Sequence, residues 1–270
     1  MGGRHHPQAD TAHVNVPVHL FRSWEKVVRR LARPERVALF SDFDGTLAPI
    51  CSHPRDARIL SGTRSLLAAC VKLGALTGVV SGRHLLDVQR RVGVSGAWYA
   101  GVHGYSLVSP RNRRFLLLNR REHERIARVA AKLSRSLAGL SGIRVEYKEA
   151  AVAVHYRGAS IASRRRAGRL VHSLLAESPG LRLMSGRKVW EFLPAGKVDK
   201  AGAIRFILQR ERSRPAVVFL GDDVTDEAVF RQMPGVMVLV GKRRRTAARY
   251  WLRSPSEVRQ FLERCLRLWK

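Results

Sequence analysis

The sequence predicts an α/β protein: a parallel sheet wound with helices and interrupted by an inserted α+β module. Three observations carry this prediction. Short apolar runs such as "RVALFSDFDG" and "ALTGVVSGR" end in polar turns, as buried strands do. Stretches of helical period separate those runs, which is the rhythm of a wound parallel sheet. Between about Ser109 and Trp190 the style changes to two strand–strand units, each preceded by a helix.

Taken in order, residues 1–18 read as a flexible basic tail, since "MGGRHHPQAD" lacks the apolar segment of a signal peptide. Residues 19–33 read as an amphipathic helix with its apolar stripe on Leu20, Phe21, Trp24, Val27, Val28 and Leu31, docked on the core and stopped by Pro34. The core is expected over 36–108 and 194–270, and an α+β cap over 109–193. In the core, "SGTRSLLAACVKLG" and "HLLDVQRRVG" are helical, and "GAWYAGVHGY" is a short strand or loop. The cap should begin with a long basic helix, about Glu122 to Leu140, before the alternating "IRVEYKEAAVAVHYRG". A second helix, about Ala159 to Glu177, leads to the hairpin "LRLMSGRKVWEFLP". Helix "KAGAIRFILQR", strand "AVVFLGDD", helix "TDEAVFRQM", strand "VMVLVG" and a last helix near "SEVRQFLERCLRLW" complete the core.

The chain has 270 residues, 45% of them hydrophobic, so a sizeable core is available. No apolar run approaches the ~18 residues of a membrane span. Cys51, Cys70 and Cys265 share no metal-like spacing and cannot all pair, which points to a reducing cytoplasm. The balance of 50 basic against 21 acidic residues, net +29, attracts polyanions. The runs "RNRR", "RRR" and "KRRR" are scattered, no nucleic-acid motif accompanies them, and aromatics are not interleaved with them. The expectation is therefore a solvated arginine-rich surface, with neither nucleic acid nor membrane as partner. "KRRR" at 242–245 is expected to steer an anionic substrate.

Ligands of open parallel sheets bind outside the carboxyl ends of the strands. Four polar signals fall at such ends: "DFDGT", "SGR", "GDDVTDE", and Lys200 opening a helix. Asp42 and Asp44, two apart in an extended segment, project to one side. One can attack phosphorus while the other handles the leaving-group proton, through an aspartyl-phosphate. "GDD" supplies oxygen ligands for Mg²⁺. Ser81 can donate to a phosphoryl oxygen, and Lys200 can neutralise the transition state. Each fragment alone is weak: Ser81 alone reads as a helix cap, Lys200 as a solvated charge, "GDD" as a turn. Their order and placement together favour catalysis.

At these residues the chain resembles the haloacid dehalogenase superfamily, and within it the trehalose-6-phosphate phosphatase family. The resemblance covers nearly all of Val37 to Leu262 and rests on "SDFDGTLAPI", "VVSGR", "GVHGY", "VEYK…AVAVHYR", "VWEFLP", "GDDVTDEAVF" and "AARYWL". It implies a Rossmann-like core and a Mg²⁺-dependent phosphatase that releases trehalose. It assigns Asp42 as nucleophile and Asp44 as acid/base. Asp42, the Asp44 carbonyl and Asp222 become metal ligands, supported by Asp223 and Asp226. Glu146, Lys148 and Glu191 would bind sugar hydroxyls, His155 and Arg157 shape that face, and Arg83 and His103 bind substrate. A trehalose-phosphate synthase is an implied partner. The family's usual Lys-Gly is Lys200-Ala201 here. Read without the resemblance, Glu146 and Lys148 form an ion pair worth little. Two other functions stay open: the same chemistry on sucrose phosphate or a glycosyl phosphoglycerate, and a basic binding module for nucleic acid or membrane with an idle catalytic fold.

Overall fold

The computed structural model describes residues 16–186, 188–196, 198–211 and 215–270. Of the expected tail, residues 1–15 lie outside the described residues. In chain order the elements begin β1 (Val18–His19), α1 (Trp24–Leu31), β2 (Val37–Ser41), α2 (Thr63–Lys72), β3 (Leu76–Val80) and α3 (Leu85–Val92). Then come β4 (Trp98–Gly101), β5 (Ser106–Val108), β6 (Arg114–Leu116), α4 (Arg120–Ser136), β7 (Arg144–Tyr147), β8 (Val152–His155) and α5 (Ile161–Ala176). The last are β9 (Leu181–Gly186), β10 (Val189–Pro194), α6 (Lys200–Arg210), β11 (Ala216–Gly221), α7 (Glu227–Gln232), β12 (Val236–Val240), β13 (Tyr250–Leu252) and α8 (Pro255–Leu268). The chain divides into two compact units, residues 1–77 with 214–270, and residues 78–213.

In the first unit the strands lie in the order β1-β13-β12-β11-β2, all parallel. The "VALFS" of β2 and "VMVLV" of β12 are buried at every position, because a strand covered on both faces has no polar side to alternate with. Helices α2 and α8 pack together, burying Leu67, Cys70, Phe261 and Cys265. The expected N-terminal helix is shorter than its pattern: a 3₁₀ turn, Leu20–Ser23, precedes α1. Its apolar stripe is committed inward, with Trp24 edge-on to Phe261 at 6.1 Å and the Trp269 Nε1 donating to Leu31 O at 2.5 Å. Strands β1 and β13, two and three residues long, are too short to show a period and escape a sequence reading.

In the second unit β3 and β4 pair parallel, and β5 and β6 then add antiparallel. The expected parallel sheet is present, and β5 and β6, which the sequence reading did not assign, extend it antiparallel. The cause of this extension is the short connection from β4, which permits a hairpin-like return but no crossover helix. A separate four-stranded antiparallel sheet has the order β7-β8-β10-β9. Val152, Val154, Leu181 and Phe192 from this sheet form one core with Ile126, Leu133, Ala167 and Val171 of α4 and α5. Both helices therefore cover the same face. Helix α4 starts at a reciprocal cap, Glu122 N to Asn119 Oδ1 at 2.9 Å and Asn119 N to Glu122 Oε2 at 3.0 Å. It ends at Ser136, before the expected Leu140, ahead of the left-handed Gly139.

Candidate active site

In the first unit, strand register explains why two acidic tips meet. β2 and β11 run parallel with Val37 opposite Ala216 and Ser41 opposite Leu220. Their carboxyl ends are thus level, and Asp42 N donates to Leu220 O at 2.8 Å. The next residue pairs of the two strands deliver Asp42 and Asp222 to one rim. Asp226 joins them from the turn before α7, fully buried, its Oδ2 accepting from Asp223 N at 2.9 Å. Asp42, Asp222 and Asp226 each offer a carboxylate oxygen within 4.8 Å of the others.

The "DGT" turn shapes this cluster. Gly45 has φ +79° and donates its N–H to Ala48 O at 2.8 Å. A Cβ at position 45 would overlap the Asp222 carboxylate, so only glycine lets the turn close over it. Asp44 sits half-buried in that turn. Asp223 is exposed, and its Oδ1 accepts from Val224 N at 2.6 Å. The donor set fits a hard divalent cation such as Mg²⁺: three carboxylates, two of them buried, gathered where mutual repulsion needs a counter-charge.

Arg244 also reaches this rim, which the sequence reading missed. Its Nη1 donates to Asp222 O at 2.9 Å, and its Nη2 lies 3.9 Å from Glu227 Oε1. Glu227 is buried and accepts from Thr246 Oγ1 at 2.5 Å and Ala247 N at 3.1 Å. Arg243 donates to Pro17 O at 3.1 Å and stacks over Trp251. The "KRRR" run is therefore not four equivalent steering charges; two of its members are tied into the fold. A run of identical residue types gave no signal to tell them apart.

The second unit holds the remaining sequence-predicted residues. Ser81 follows β3, is buried, and accepts at Oγ from Arg83 N at 3.2 Å. Arg83 donates to Asp87 at 2.8 Å, and Arg91 donates to the same carboxylate at 2.9 Å. Burial pushes the Asp87 carboxyl up, but these two guanidinium groups outweigh it and hold it below its ordinary value. His103 adopts φ +57° next to Val102 at φ +51°, a left-handed pair that costs about 1–2 kcal/mol per residue. Two hydrogen bonds hold it, Val102 N to Arg83 O at 2.8 Å and His103 N to Ser81 O at 3.0 Å. The bend lays the His103 ring over Gly82, where a Cβ would stand 2.5 Å from the ring.

Around this loop a chain of charged groups forms. Glu191 Oε2 lies 3.1 Å from His103 Nε2, and Lys148 Nζ donates to Glu191 Oε1 at 2.8 Å and to Gly82 O at 3.1 Å. Burial pushes the Glu191 carboxyl up, yet the Lys148 ammonium and the His103 bond bring it down to about 2. The partner of Lys148 is thus Glu191, and the ion pair of Glu146 with Lys148 is not the observed arrangement. Glu146 instead bonds His155 Nε2 at 2.7 Å, with Arg144 at 3.5 Å. That histidine bond holds the Glu146 carboxyl below its ordinary value against the effect of burial.

Sheet register explains the grouping. Ala153 pairs with Glu146 on one side and Glu191 on the other, so all three share a face, with His155 two residues on. The opposite face carries Val152, Val154 and Phe192 into the helical core. Arg157 lies beyond β8 and is exposed. Lys200 is the buried first residue of α6, capped by Asp199 Oδ1 accepting from Gly202 N at 2.7 Å. The Ala201 departure leaves that helix start in place.

The architecture is that of the haloacid dehalogenase-like hydrolases. One such hydrolase from Bacteroides thetaiotaomicron superposes with a TM-score of 0.63 at 15% identity, covering 85% of this chain and 98% of that one. The C-terminal domain of trehalose-6-phosphate phosphatase from C. albicans gives a TM-score of 0.72 at 19% identity, over 94% and 99%. Residues 40–252 match the trehalose-phosphatase family, and the chain belongs to it. A trehalose-phosphate phosphatase of Mycobacterium ulcerans is 35% identical over 263 residues, 88% of this chain and 64% of that protein. A counterpart in Mycobacterium avium is 36% identical over 84% of this chain and 61% of its own length. The chain thus spans somewhat under two thirds of the length of the curated relatives it matches.

Proposed function

We propose that the chain is a Mg²⁺-dependent phosphatase that hydrolyses trehalose 6-phosphate to trehalose and phosphate. The observation that carries this reading is the Asp42–Asp222–Asp226 cluster, formed at the ends of adjacent parallel strands in a member of the trehalose-phosphatase family. Asp42, Asp222 and Asp226 would hold the cation with the Asp44 carbonyl. When bound, it offsets the carboxylate charge and that of the incoming phosphate.

Asp42 is the nucleophile. Its carboxylate oxygen bonds phosphorus as the bond from phosphorus to the sugar oxygen breaks, and Asp44 gives the leaving oxygen its proton. Water then attacks the aspartyl-phosphate, Asp44 takes a proton from it, and phosphate departs with Asp42 restored. Ser81 binds a phosphoryl oxygen and Lys200 offsets developing negative charge. Glu146, Lys148 and Glu191 bind sugar hydroxyls, with Arg83, His103, His155 and Arg157 lining the same approach. Discrimination by hydrogen-bonded hydroxyls is strong because a substrate lacking them leaves buried polar groups unpaired. Residues 109–193 serve as the substrate-selecting cap.

The reading places the protein in the cytoplasm, consistent with three free cysteines, two of them buried. No described helix is long and apolar enough to cross a membrane. A trehalose-phosphate synthase is the natural supplier of substrate and a candidate partner. The test is phosphate release from trehalose 6-phosphate with Mg²⁺ and then with chelator, beside sucrose phosphate and a glycosyl phosphoglycerate. Turnover that is lost on chelation and fastest on trehalose 6-phosphate is expected. Faster turnover of another sugar phosphate would overturn the substrate, and no metal-dependent release would overturn the chemistry.

A further inference from the structure

The sheet β7-β8-β10-β9 has its polar row on one face and α4 and α5 on the other. The outer surface of those helices lies across the sheet from the Glu146–Glu191 row and takes no part in the proposed reaction. Its charge is one-sided. Helix α4 carries six Arg and Lys and α5 four, against two acidic residues, Glu122 and Glu124, in both together.

The spacing orders these charges. Arg121, Arg125, Arg128, Lys132 and Arg135 follow one another at four, three, four and three residues, which is a single stripe along α4. The stripe spans roughly 21 Å at 1.5 Å per residue, one cation every 5 Å or so. On α5, Arg165, Arg166 and Arg169 are exposed beside it. Between the helices runs an open groove of about 440 Å³ lined by Ser136, Leu137, Arg166, Arg169, Leu170 and Ser173. Two guanidinium forks and two hydroxyls at one groove are donors for phosphate oxygens. Few of the cations are neutralised: Arg120 pairs with Glu124, and Lys132 pairs with Glu177. Among the described residues Arg121, Arg128, Arg135, Arg165, Arg166 and Arg169 have no acidic partner.

We propose that this α4–α5 face binds the phosphodiester backbone of duplex nucleic acid without reading its sequence. Duplex DNA presents one negative charge per ~1.7 Å of axis, so the stripe faces a denser row of phosphates than it has cations. Backbone binding of this kind needs no recognition motif, and of the basic runs in the sequence "RRR" at 164–166 joins the α4 stripe through the fold, while "RNRR" and "KRRR" lie outside these helices. A lipid surface fits less well. An interfacial helix sinks its apolar side into the membrane, whereas the apolar sides of α4 and α5 are already buried in the core. The exposed large apolar side chain on these helices is Ile161, at the start of α5.

The experiment measures binding of the full chain to a labelled 20-base-pair duplex of arbitrary sequence between 50 and 200 mM salt. One variant carries Arg121→Gln, Arg128→Gln and Arg135→Gln; a second carries Arg165→Gln, Arg166→Gln and Arg169→Gln. A control carries Lys26→Gln, Arg29→Gln and Arg30→Gln, which are exposed on α1. Glutamine is a good helix former at exposed positions, and circular dichroism verifies that each variant is folded. The expected result is salt-sensitive binding whose logarithmic slope falls by about two to three in each helix variant and stays unchanged in the control. Undetectable duplex binding at 50 mM salt, equal loss in control and helix variants, or unaltered slopes would each overturn the proposal. So would capture by phosphatidylserine vesicles in place of duplex. None of these outcomes depends on phosphatase activity.

Discussion

Glu191→Gln removes one charge from a pair that the second unit buries, and its effect can be worked from the structure. Glu191 is 4% exposed and held between Lys148 and His103. Its carboxyl is lowered from 4.5 to about 2, burial being outweighed by the Lys148 charge and the His103 bond. A gap of that size corresponds to about 3 kcal/mol. Because the folded value lies below the unfolded one, this stability is fully present above 4.5 and disappears as pH falls through 2. Glutamine keeps the shape but leaves the Lys148 ammonium without its counter-charge, an arrangement that costs a few kcal/mol. The assay is urea unfolding of both proteins, followed by circular dichroism at pH 7, 5, 4 and 3. The variant should be less stable by about 3 kcal/mol at pH 7 and by only about 1 kcal/mol at pH 3. A difference that stays constant from pH 7 to pH 3 would refute an electrostatic origin. A difference under about 1 kcal/mol at pH 7 would show that the pair is solvated and not buried.

Asp42→Asn should abolish phosphate release with the circular dichroism spectrum retained, because an amide is a poor nucleophile; substantial residual turnover would contradict the assignment. Gly45→Ala should weaken Mg²⁺ binding, read by calorimetry, by at least about tenfold, since the Cβ displaces Asp222 and the left-handed φ adds about 1–2 kcal/mol of strain. Arg244→Ala should likewise weaken Mg²⁺ binding by freeing the Asp222 carbonyl, while Lys242→Gln with Arg245→Gln, both exposed, should leave it unchanged and only flatten the decline of kcat/KM with salt. Glu146→Ala should slow trehalose 6-phosphate turnover far more than that of a small phosphate ester; equal losses would make the His155 bond merely structural.

Strands buried on both faces leave continuous apolar runs, so β2, β3, β11 and β12 are legible from residue type alone. Alternation made the two hairpins of the second sheet equally plain, and the turn chemistry of "DFDGT" and "GDD" marked the acidic tips. These features are local: a few residues suffice to state them, and elementary sterics and burial dictate the rest. What pairs with what is not local. Lys148 could have met Glu146 two residues away, but the rows Glu146–Ala153–Glu191 and the left-handed bend at His103 deliver Glu191 to it instead. Arg244 looks like its neighbours in "KRRR" until the segment before β13 brings it to the Asp222 carbonyl. Strands of two or three residues, β1, β5, β6 and β13, exist because a sheet edge is there to receive them. The arginine runs of α4 and α5 become one surface because a shared apolar core holds both helices on one side of a sheet. Periodicity and turn chemistry report a residue's own backbone, and so the sequence alone determined the longer elements and where the acidic tips fall. Register, partner and face depend on contacts between segments dozens of residues apart, which only the tertiary structure decided.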